Sequence, residues 1–346
     1  MFHSSSRLRL LIAGIAALAM VLAGTLAAGG VASAASHPLK KGLKIFVIPK
    51  ELGNPYFTEA DSVKTGGALL ALKQLGEIGQ QTASTTGTPS GQIPVIQADI
   101  TKGANALIVS ATSATALCPT LRSAMKRGIK VITYDSDAPG CRTLFVDQAT
   151  PVTIGESEVQ VLAKEIHDSG QIAIVSATAA DTNQNTWIKW MKVELKHYPH
   201  IDLVSVVYGN TTTATSVSVT EGLLSHYPDL KGIISPTTTG IAAAASVLDT
   251  PKYRGKIMLT GLGTPNEMRK YVEDGTCKEF ELWNPADLGY LAGYAAVELA
   301  SGAITNAKGQ TFVAGKLGKY TVRSNHTVLL GPPFVFTKKN INQFHF

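Results

Sequence analysis

The chain has 346 residues, of which 16% are charged, and its formal net charge is +6. Its basic residues are spread along the chain, so nucleic-acid binding, which needs a concentrated basic stripe, is not expected. Its three cysteines are too few for a disulfide-dense scaffold and exclude a thiolate zinc cluster.

The N-terminal segment has the features of a secretory signal peptide. Two arginines precede an apolar run over 10–28 that contains no charged residue. That run could span a bilayer as a retained anchor, but the following Ala32-Ser33-Ala34 fits the A-x-A pattern of a signal-peptidase site. Thr25 stands where a lipoprotein would carry its lipidated cysteine. The sequence thus predicts a signal peptide over 1–34, cleaved at its end, and export to the cell envelope or the extracellular space without a lipid anchor.

From residue 44 onward, short apolar runs alternate with longer amphipathic stretches. The runs that predict strands lie at 44–48, 106–110, 130–134, 144–146, 172–176, 202–208, 232–235 and 256–261. The stretches that predict helices lie at 58–75, 115–127, 160–167, 184–197, 215–227, 241–248 and 288–301. A further stretch, at 95–102, predicts the end of a helix. Gly128 follows one of these helices at the position of a left-handed cap. This alternation predicts βαβ units on parallel sheets, because parallel neighbours need a long crossover.

The βαβ units fall into two runs. About 310 residues remain after the predicted cleavage, which leaves room for two domains of roughly 150 residues. The sequence therefore predicts an α/β fold of two doubly wound parallel-sheet lobes. The first is expected to comprise 42–148 plus about 284–310, and the second 149–283 plus about 311–346. Because the tail has no partner unless it returns to these lobes, more than one crossover is expected to join them as a hinge.

Two of the three cysteines are expected to form a disulfide, which an oxidising compartment allows. Cys118 opens a predicted helix after one strand and Cys141 follows the next strand, so both lie at the same edge of a parallel sheet. A bridge between Cys118 and Cys141 is therefore predicted, with Cys277 free. The alternative is that all three are reduced, buried thiols.

Polar and aromatic residues directly follow the predicted strands, at the edge where open parallel sheets bind their ligands. The candidate ligand-binding residues are Lys50, Asn54, Tyr56, Phe57, Asp135, Ser136, Asp137, Asn183, Gln184, Pro236, Thr238, Leu262, Trp283 and Asn284. Their charged and amide groups suit a polyhydroxylated ligand, whose buried hydroxyls need partners and whose C–H surface the aromatic faces would cover. Taken singly, each residue could instead have a purely structural role, since an Asp after a strand often caps a helix and a lone Trp is usually part of a core.

Catalytic signatures are absent from the sequence. It has no G-x-x-x-x-G-K-[ST] phosphate loop, no G-x-G-x-x-G after the first strand, no G-x-S-x-G elbow and no H-E-x-x-H. The histidines are scattered, which argues against a metal site built on them. The sequence therefore predicts a binding protein that is not an enzyme and uses no metal or other cofactor, with an exported α/β enzyme as the alternative from another class.

Six segments at these strand ends resemble those of the type I periplasmic binding proteins, the ribose-binding-like proteins that feed sugar ABC importers. The segments are 48–50, 132–137, 182–187, 234–238, 260–263 and 283–290. Within that family the chain is most similar to the rhamnose-binding proteins and to those that bind autoinducer-2, a furanosyl quorum-sensing signal. The resemblance implies a monomeric protein that closes like a Venus flytrap on a small sugar and delivers it to a membrane permease. A LacI-type regulator shares the two lobes, but it carries a DNA-binding helix-turn-helix where this chain has its predicted signal peptide.

The resemblance also implies roles for single residues. Asp135 would be the main acceptor for hydroxyl groups, because a carboxylate accepts two of them at once. Lys50 would donate from the first lobe, and Asn183 and Gln184 would meet the ligand from the second. Trp283, together with Tyr56, would supply apolar cover.

Two positions distinguish the subfamilies. The autoinducer binders carry an aspartate at the position of Asn183 and a small residue at that of Thr238, so both residues favour a rhamnose-type ligand, as does the Trp-Asn-Pro run at 283–285. Cys118 and Cys141, in contrast, resemble the autoinducer binders. The sequence thus predicts binding of rhamnose or a similar deoxy sugar or pentose, with autoinducer-2 as the alternative.

Overall fold

The structure is a computed structural model that describes residues 38–346. The predicted signal peptide over 1–34 lies outside the described residues. Among the helices between residues 38 and 346, none combines the length and the apolar character needed to cross a membrane.

The first lobe is built on a six-stranded sheet in which all neighbouring strands are parallel. Its strands are β1 (Lys44–Ile48), β2 (Ile78–Gln81), β3 (Ala106–Val109), β4 (Lys130–Tyr134), β5 (Leu144–Asp147) and β13 (Thr327–Leu329). They lie in the order β13-β5-β4-β3-β1-β2. The helices that pack with this sheet are α1 (Pro55–Asp61), α2 (Ala68–Gln74), α3 (Pro89–Thr101), α4 (Ala114–Lys126) and α10 (Pro285–Ser301).

The second lobe is built on a four-stranded parallel sheet. Its strands are β6 (Gly170–Ser176), β7 (Ile201–Tyr208), β8 (Leu230–Ser235) and β9 (Met258–Gly261), in the order β7-β6-β8-β9. Its helices are α5 (Pro151–Glu165), α6 (Thr182–Glu194), α7 (Thr213–His226), α8 (Thr238–Leu248) and α9 (Pro265–Glu273). Beside β9 lies an antiparallel pair of strands, β10 (Glu279–Leu282) and β14 (Phe334–Thr337).

The smaller elements belong to the C-terminal tail and to one helix end. Strands β11 (Thr311–Val313) and β12 (Lys319–Thr321) form a hairpin. Single turns of 3-10 helix lie at Leu195–His197, Gly315–Leu317, Ser324–His326 and Ile341–Gln343.

The central strands are mostly apolar and buried, as is typical of parallel sheets that are covered by helices. All four residues of β3, Ala-Leu-Ile-Val, are buried, and so are the last four residues of β1. Continuous apolar runs of this kind were the signal that predicted the strands. Because the strands of each sheet are parallel, their carboxyl ends lie at one edge of the sheet, where the polar loops begin.

Several elements differ from the sequence prediction, and α9 and β10, for example, were not predicted. The single helix predicted over 58–75 is split into α1 and α2, because Gly67 packs so closely on α1 that a Cβ there would overlap the carbonyl oxygen of Ala60. Strand β2 was not predicted. It is an edge strand of sequence Ile-Gly-Gln-Gln with mostly exposed residues, so it lacks the apolar run of a buried strand.

The chain passes between the lobes at three places, as the prediction of a hinge with several crossovers requires. It leaves the first lobe between β5 and α5 and returns between β10 and α10. The sequence assigns 311–346 to the second lobe, whereas β13 pairs with β5 in the first sheet and only β14 pairs with β10. The tail therefore contributes a strand to each lobe and crosses between them once more.

The predicted disulfide between Cys118 and Cys141 is present. Cys118 lies in α4 and Cys141 in the loop after β4, with their Cα atoms 5.3 Å apart. Cys277 is buried and free, and its Sγ donates to the carbonyl oxygen of Leu259 at 3.1 Å. The bridge ties α4 to the loop that follows the fourth strand of the first sheet.

Replacing both Cys118 and Cys141 with Ala should lower the free energy of unfolding by about 3 kcal/mol, because the bridge restricts an unfolded loop of sequence separation 23. Urea denaturation with and without reductant measures the effect. Wild-type protein and the matched Cys277→Ala variant should both lose stability on reduction, whereas the double variant should not respond. Free thiols at both positions in non-reducing peptide mapping would contradict the bridge.

Glu158, on α5, is a buried acid without a hydrogen-bond partner. Its side chain is fully buried, and neither carboxylate oxygen has a partner among the described residues. Burial raises the pKa of Glu158 well above its ordinary value, and the neighbouring Glu281 carboxylate raises it further. Glu281 itself accepts a hydrogen bond from Ser157 Oγ at 2.6 Å. An ionised Glu158 therefore penalises the folded state.

Replacing Glu158 with Gln should raise the melting temperature by several degrees at pH 8, and by less at pH 5. The raised pKa means that the folded protein holds the Glu158 proton more tightly than the unfolded chain does. The stability that this proton contributes is fully present below the ordinary pKa of 4.5, and it is lost as the pH rises through the folded-state pKa. Calorimetry of both proteins across pH 5–8 measures the difference. Glu156→Gln, the same change at a half-buried position of α5, is the control. If Glu158→Gln raised the melting temperature equally at every pH, the ionisation of Glu158 would not be the cause.

Candidate ligand-binding site

The carboxyl ends of the strands of both sheets meet around a shared cavity of about 50 Å³. Most of the residues predicted from the strand ends line it. They are Lys50, Asn54, Tyr56, Phe57, Asp135, Asn183, Gln184, Pro236, Thr238, Leu262 and Trp283. The rule that ligands sit beyond the ends of parallel strands thus brings these residues together from loops far apart in the chain.

Three predicted residues do not line the cavity, and for two of them a local partner holds the side chain elsewhere. Asp137 pairs with Arg142, with its Oδ1 2.8 Å from the guanidinium Nε. Asn284 caps α10 by accepting from the backbone N–H of Ala286 at 2.9 Å. Ser136 is fully buried, and its hydroxyl has no partner in the described part of the chain.

Seven lining residues were not among the candidates. They are Glu51, Ala177, Asp181, Trp187, Thr211, Thr237 and Leu282. Asp181 was not a candidate because it directly precedes α6, where an Asp is usually interpreted as a helix cap. Thr211 follows β7, so the strand-end rule applied to that strand would have found it.

A network of charged and amide groups crosses the cavity from one lobe to the other. Lys50 Nζ, after β1, donates to Asp181 Oδ1 at 3.1 Å and to Asn183 Oδ1 at 3.0 Å. Asn183 Nδ2 donates in turn to Asp135 Oδ1, after β4, at 3.3 Å. The network therefore joins the first lobe to the start of α6 in the second.

Asp135 is buried, lines the cavity and has an unusual backbone conformation. Its backbone φ is 59°, in the left-handed region, which Asp tolerates better than most side chains. Ser110 Oγ donates to its Oδ2 at 2.6 Å, which fixes the carboxylate. Burial raises the pKa of Asp135, and the nearby ammonium of Lys50 and the bond from Ser110 offset this in part. The result is a fixed, buried acceptor with one oxygen directed at the second lobe.

Lys50 remains a cation in this setting. Burial by itself would lower the pKa of Lys50, but the carboxylates of Asp181 and Asp135 outweigh burial and raise it. The Asp135 carboxylate is the more distant of the two, at 4.0 Å from Nζ. The site thus holds one charged donor and two carboxylate acceptors, all of them buried. Burial lowers the local dielectric constant, and this strengthens each hydrogen bond to a ligand.

Aromatic side chains form one wall of the cavity. Trp283 Nε1 donates to the hydroxyl of Tyr56 at 2.8 Å, and the two rings meet edge to face with centroids 6.1 Å apart. Trp187 of the second lobe packs on Trp283 at the same centroid distance. Phe57 packs on Tyr56 at 5.1 Å. The rings of Tyr56 and Trp283 are fixed by these contacts, so they present a preformed apolar surface.

The start of α6 is anchored to the sheet of the second lobe. Gln184 Oε1 accepts from Ser176 Oγ at 2.6 Å and from the backbone N–H of Ala177 at 2.8 Å. Asn183 Oδ1 also accepts from the backbone N–H of Gln184 at 2.9 Å. These bonds position Asn183 toward the first lobe.

The arrangement suits a small, neutral, hydroxyl-rich molecule. Carboxylates accept from hydroxyls, the ammonium and amides donate to hydroxyl or ring oxygens, and the aromatic wall covers C–H groups. Between residues 38 and 346, no cluster of three or more His, Cys, Asp or Glu side chains could hold a metal ion.

Two parallel α/β lobes that close on such a cavity define a type I periplasmic solute-binding protein. The chain belongs to the periplasmic binding protein family, since the family profile described as "Periplasmic binding protein domain" matches residues 45–304. The family and the fold class predicted from the sequence are thereby confirmed.

Solved structures of similar proteins cover nearly the whole described chain. A sugar ABC transporter protein from Actinomyces odontolyticus is 42% identical, over 88% of this chain and 98% of that one, with a TM-score of 0.69. A solute-binding protein from Clostridium phytofermentas with bound L-rhamnose is 33% identical over the same shares, with a TM-score of 0.84. LsrB from Clostridium saccharobutylicum, in complex with AI-2, is 26% identical over 88% of this chain and 100% of that one, with a TM-score of 0.81.

A curated relative is more distant. The D-ribose/D-allose-binding protein of Pseudomonas aeruginosa is 21% identical over 54% of this chain, and the alignment spans 60% of that protein.

Proposed function

We propose that this chain is the exported substrate-binding component of a sugar ABC importer, and that its interlobe cavity binds L-rhamnose or a similar deoxy sugar or pentose. The sugar would be held without chemical conversion and handed to a membrane permease by a monomeric protein. Export would follow cleavage of the signal peptide over 1–34.

The single observation that carries the proposal is the cross-lobe network of Lys50, Asp135 and Asn183 over a cavity with an aromatic wall. Lys50 and Asp135 are 6% and 5% exposed, and both lie within reach of Asn183 from the other lobe. A polyol that replaces these mutual bonds satisfies groups from both lobes at once, so its binding favours closure. The proteins from Actinomyces odontolyticus and Clostridium phytofermentas support the sugar importer and the rhamnose-type ligand.

Autoinducer-2 is the second candidate ligand. The disulfide between Cys118 and Cys141 resembles the autoinducer binders, and the structure of LsrB with AI-2 shares the fold over most of the chain. Asn183 and Thr238 argue for the rhamnose-type ligand, because they place an amide and a bulkier side chain in the cavity wall.

A thermal-shift screen followed by titration calorimetry tests the proposal. The mature protein is screened against L-rhamnose, D-ribose, D-arabinose, D-glucose and autoinducer-2. A ligand at a hundredfold excess over its Kd stabilises the folded state by about 2.7 kcal/mol, which raises the melting temperature. L-rhamnose is expected to give the largest shift. The proposal fails if no sugar shifts the melting temperature, or if the protein converts the sugar chemically.

A further inference from the structure

A second, larger cavity lies directly beside the one described above. Its volume is about 560 Å³, against about 50 Å³ for the first. Glu51, Asn54 and Thr211 line both cavities, so the two spaces adjoin. We call the first the inner cavity and the second the outer cavity.

Both lobes line the outer cavity. The first lobe contributes 51–55 and 85–88, and the second contributes Thr178, 210–213 and residues at the starts of α8 and α9. A molecule in the outer cavity therefore bridges the lobes, as one in the inner cavity does. Each would favour the closed arrangement through contacts that opening would break.

Hydroxyl groups dominate the lining of the outer cavity. Eight of its residues are threonines, and the hydroxyls of Thr211, Thr213 and Thr239 make no hydrogen bond within residues 38–346. Glu51 and Glu267 add carboxylate acceptors. The described part of the chain contributes to this lining neither a lysine or arginine for an anionic ligand nor an aromatic ring for a planar one. This chemistry fits a neutral group rich in hydroxyls.

Thr211 stands at the junction in an unusual backbone conformation. Asn210 and Thr211 have φ angles of 51° and 56°, in the left-handed region, where a β-branched residue is a genuine outlier. Backbone bonds from Asn210 N to Ala177 O at 2.7 Å and from Thr212 N to Gly209 O at 3.1 Å hold this turn. Such strain persists only where the surroundings enforce it, and it often marks a ligand contact.

The two lobes approach each other closely at the same junction. A Cβ on Gly87, in the first lobe, would overlap the carboxylate of Glu51 and lie 3.0 Å from Thr211 Oγ1 of the second lobe. Gly87 of the first lobe and Thr211 of the second thus lie close together where the two cavities adjoin.

We infer that the outer cavity is a second sugar subsite, and that the ligand is a glycosidically linked disaccharide or short oligosaccharide. Its terminal ring occupies the inner cavity, and the next ring occupies the outer one. This inference rests on the proposed function of the inner cavity and extends it to a longer substrate.

Titration calorimetry with one monosaccharide and its disaccharides tests the inference. The probes are L-rhamnose and the α-(1→2)- and α-(1→3)-linked disaccharides of L-rhamnose. At least one disaccharide should bind about tenfold more tightly than L-rhamnose, which corresponds to a few additional hydroxyl contacts. The Thr213→Val/Thr239→Val variant should bind L-rhamnose with unchanged affinity but lose the disaccharide gain, because both hydroxyls line only the outer cavity.

The matched control is Thr101→Val/Thr120→Val, the same two changes on α3 and α4 outside both cavities. It should keep the disaccharide gain. If L-rhamnose binds and neither disaccharide binds more tightly, the second subsite is refuted while the proposed function stands. If none of these three sugars binds and no sugar in the thermal-shift screen shifts the melting temperature, the proposed function fails and the second subsite with it.

Discussion

Replacing Asp135 with Asn is expected to weaken sugar binding by about a hundredfold while the protein stays folded. Hydrogen bonds to a charged group are worth about 1.5–3 kcal/mol, and 1.4 kcal/mol corresponds to tenfold in affinity. The variant removes the charge and one acceptor oxygen but keeps the shape of the side chain. Asn also tolerates the left-handed backbone at this position, where φ is 59°. Titration calorimetry with L-rhamnose measures the loss.

Asp137→Asn is the matched control for this experiment. It makes the same chemical change two residues away, where the carboxylate pairs with Arg142 and does not line the cavity. We expect it to lower stability by breaking that pair and to leave the affinity for sugar unchanged. Wild-type affinity in the Asp135→Asn variant would remove Asp135 from the binding site.

The same residue predicts a pH dependence of binding. Burial raises the pKa of Asp135, so its carboxylate takes up a proton at a higher pH than an ordinary aspartate does. The protonated group is a weaker acceptor, and affinity should therefore fall as the pH drops through this raised pKa. Calorimetry at several pH values tests this, and the Asp135→Asn variant should show no such dependence.

The fold followed from the sequence because a few strong signals determine it. The strands predicted at 44–48 and 130–134 have the same bounds as β1 and β4, since each starts at a lysine and continues as a short run rich in β-branched and aromatic residues. Gly128, expected as a left-handed cap, has a φ of 83°. Parallel strands then fix which loops share an edge, so the cavity wall could be named in large part from the chain alone.

What the sequence did not reveal depends on the direction of single side chains. In the loop after a strand the regular alternation of side chains is lost, and a local partner can hold a side chain away from the cavity, as Arg142 holds Asp137. Thr211 is a different case, because it follows β7 and the strand-end rule extended to that strand would have included it, although no sequence pattern indicates its left-handed backbone. The position of β13 in the first sheet likewise depends on a contact between residues 182 positions apart in the chain, such as Phe145 and Thr327.

Replacing Lys50 with Met is expected to weaken sugar binding by at least a hundredfold and to shift the protein toward open lobes. Met keeps the length of the side chain but removes the only cation that residues 38–346 place in the lining of the inner cavity. Asp181 and Asp135, 1% and 5% exposed, would then face each other without a counter-charge. Breaking a buried pair in this way costs about 3–5 kcal/mol, because the remaining charge is left desolvated.

The lobes can avoid this cost by opening, since Lys50 and Asp181 belong to different lobes and water would reach both carboxylates. We therefore expect little change in the melting temperature of Lys50→Met but a larger radius of gyration by small-angle X-ray scattering. The double variant Lys50→Met/Asp181→Asn supplies the control, because replacing both partners removes the uncompensated charge that drives opening. It should return the radius of gyration toward the wild-type value without restoring sugar affinity. A compact Lys50→Met variant that binds L-rhamnose like the wild type would show that the ion pair neither holds the lobes together nor belongs to the site.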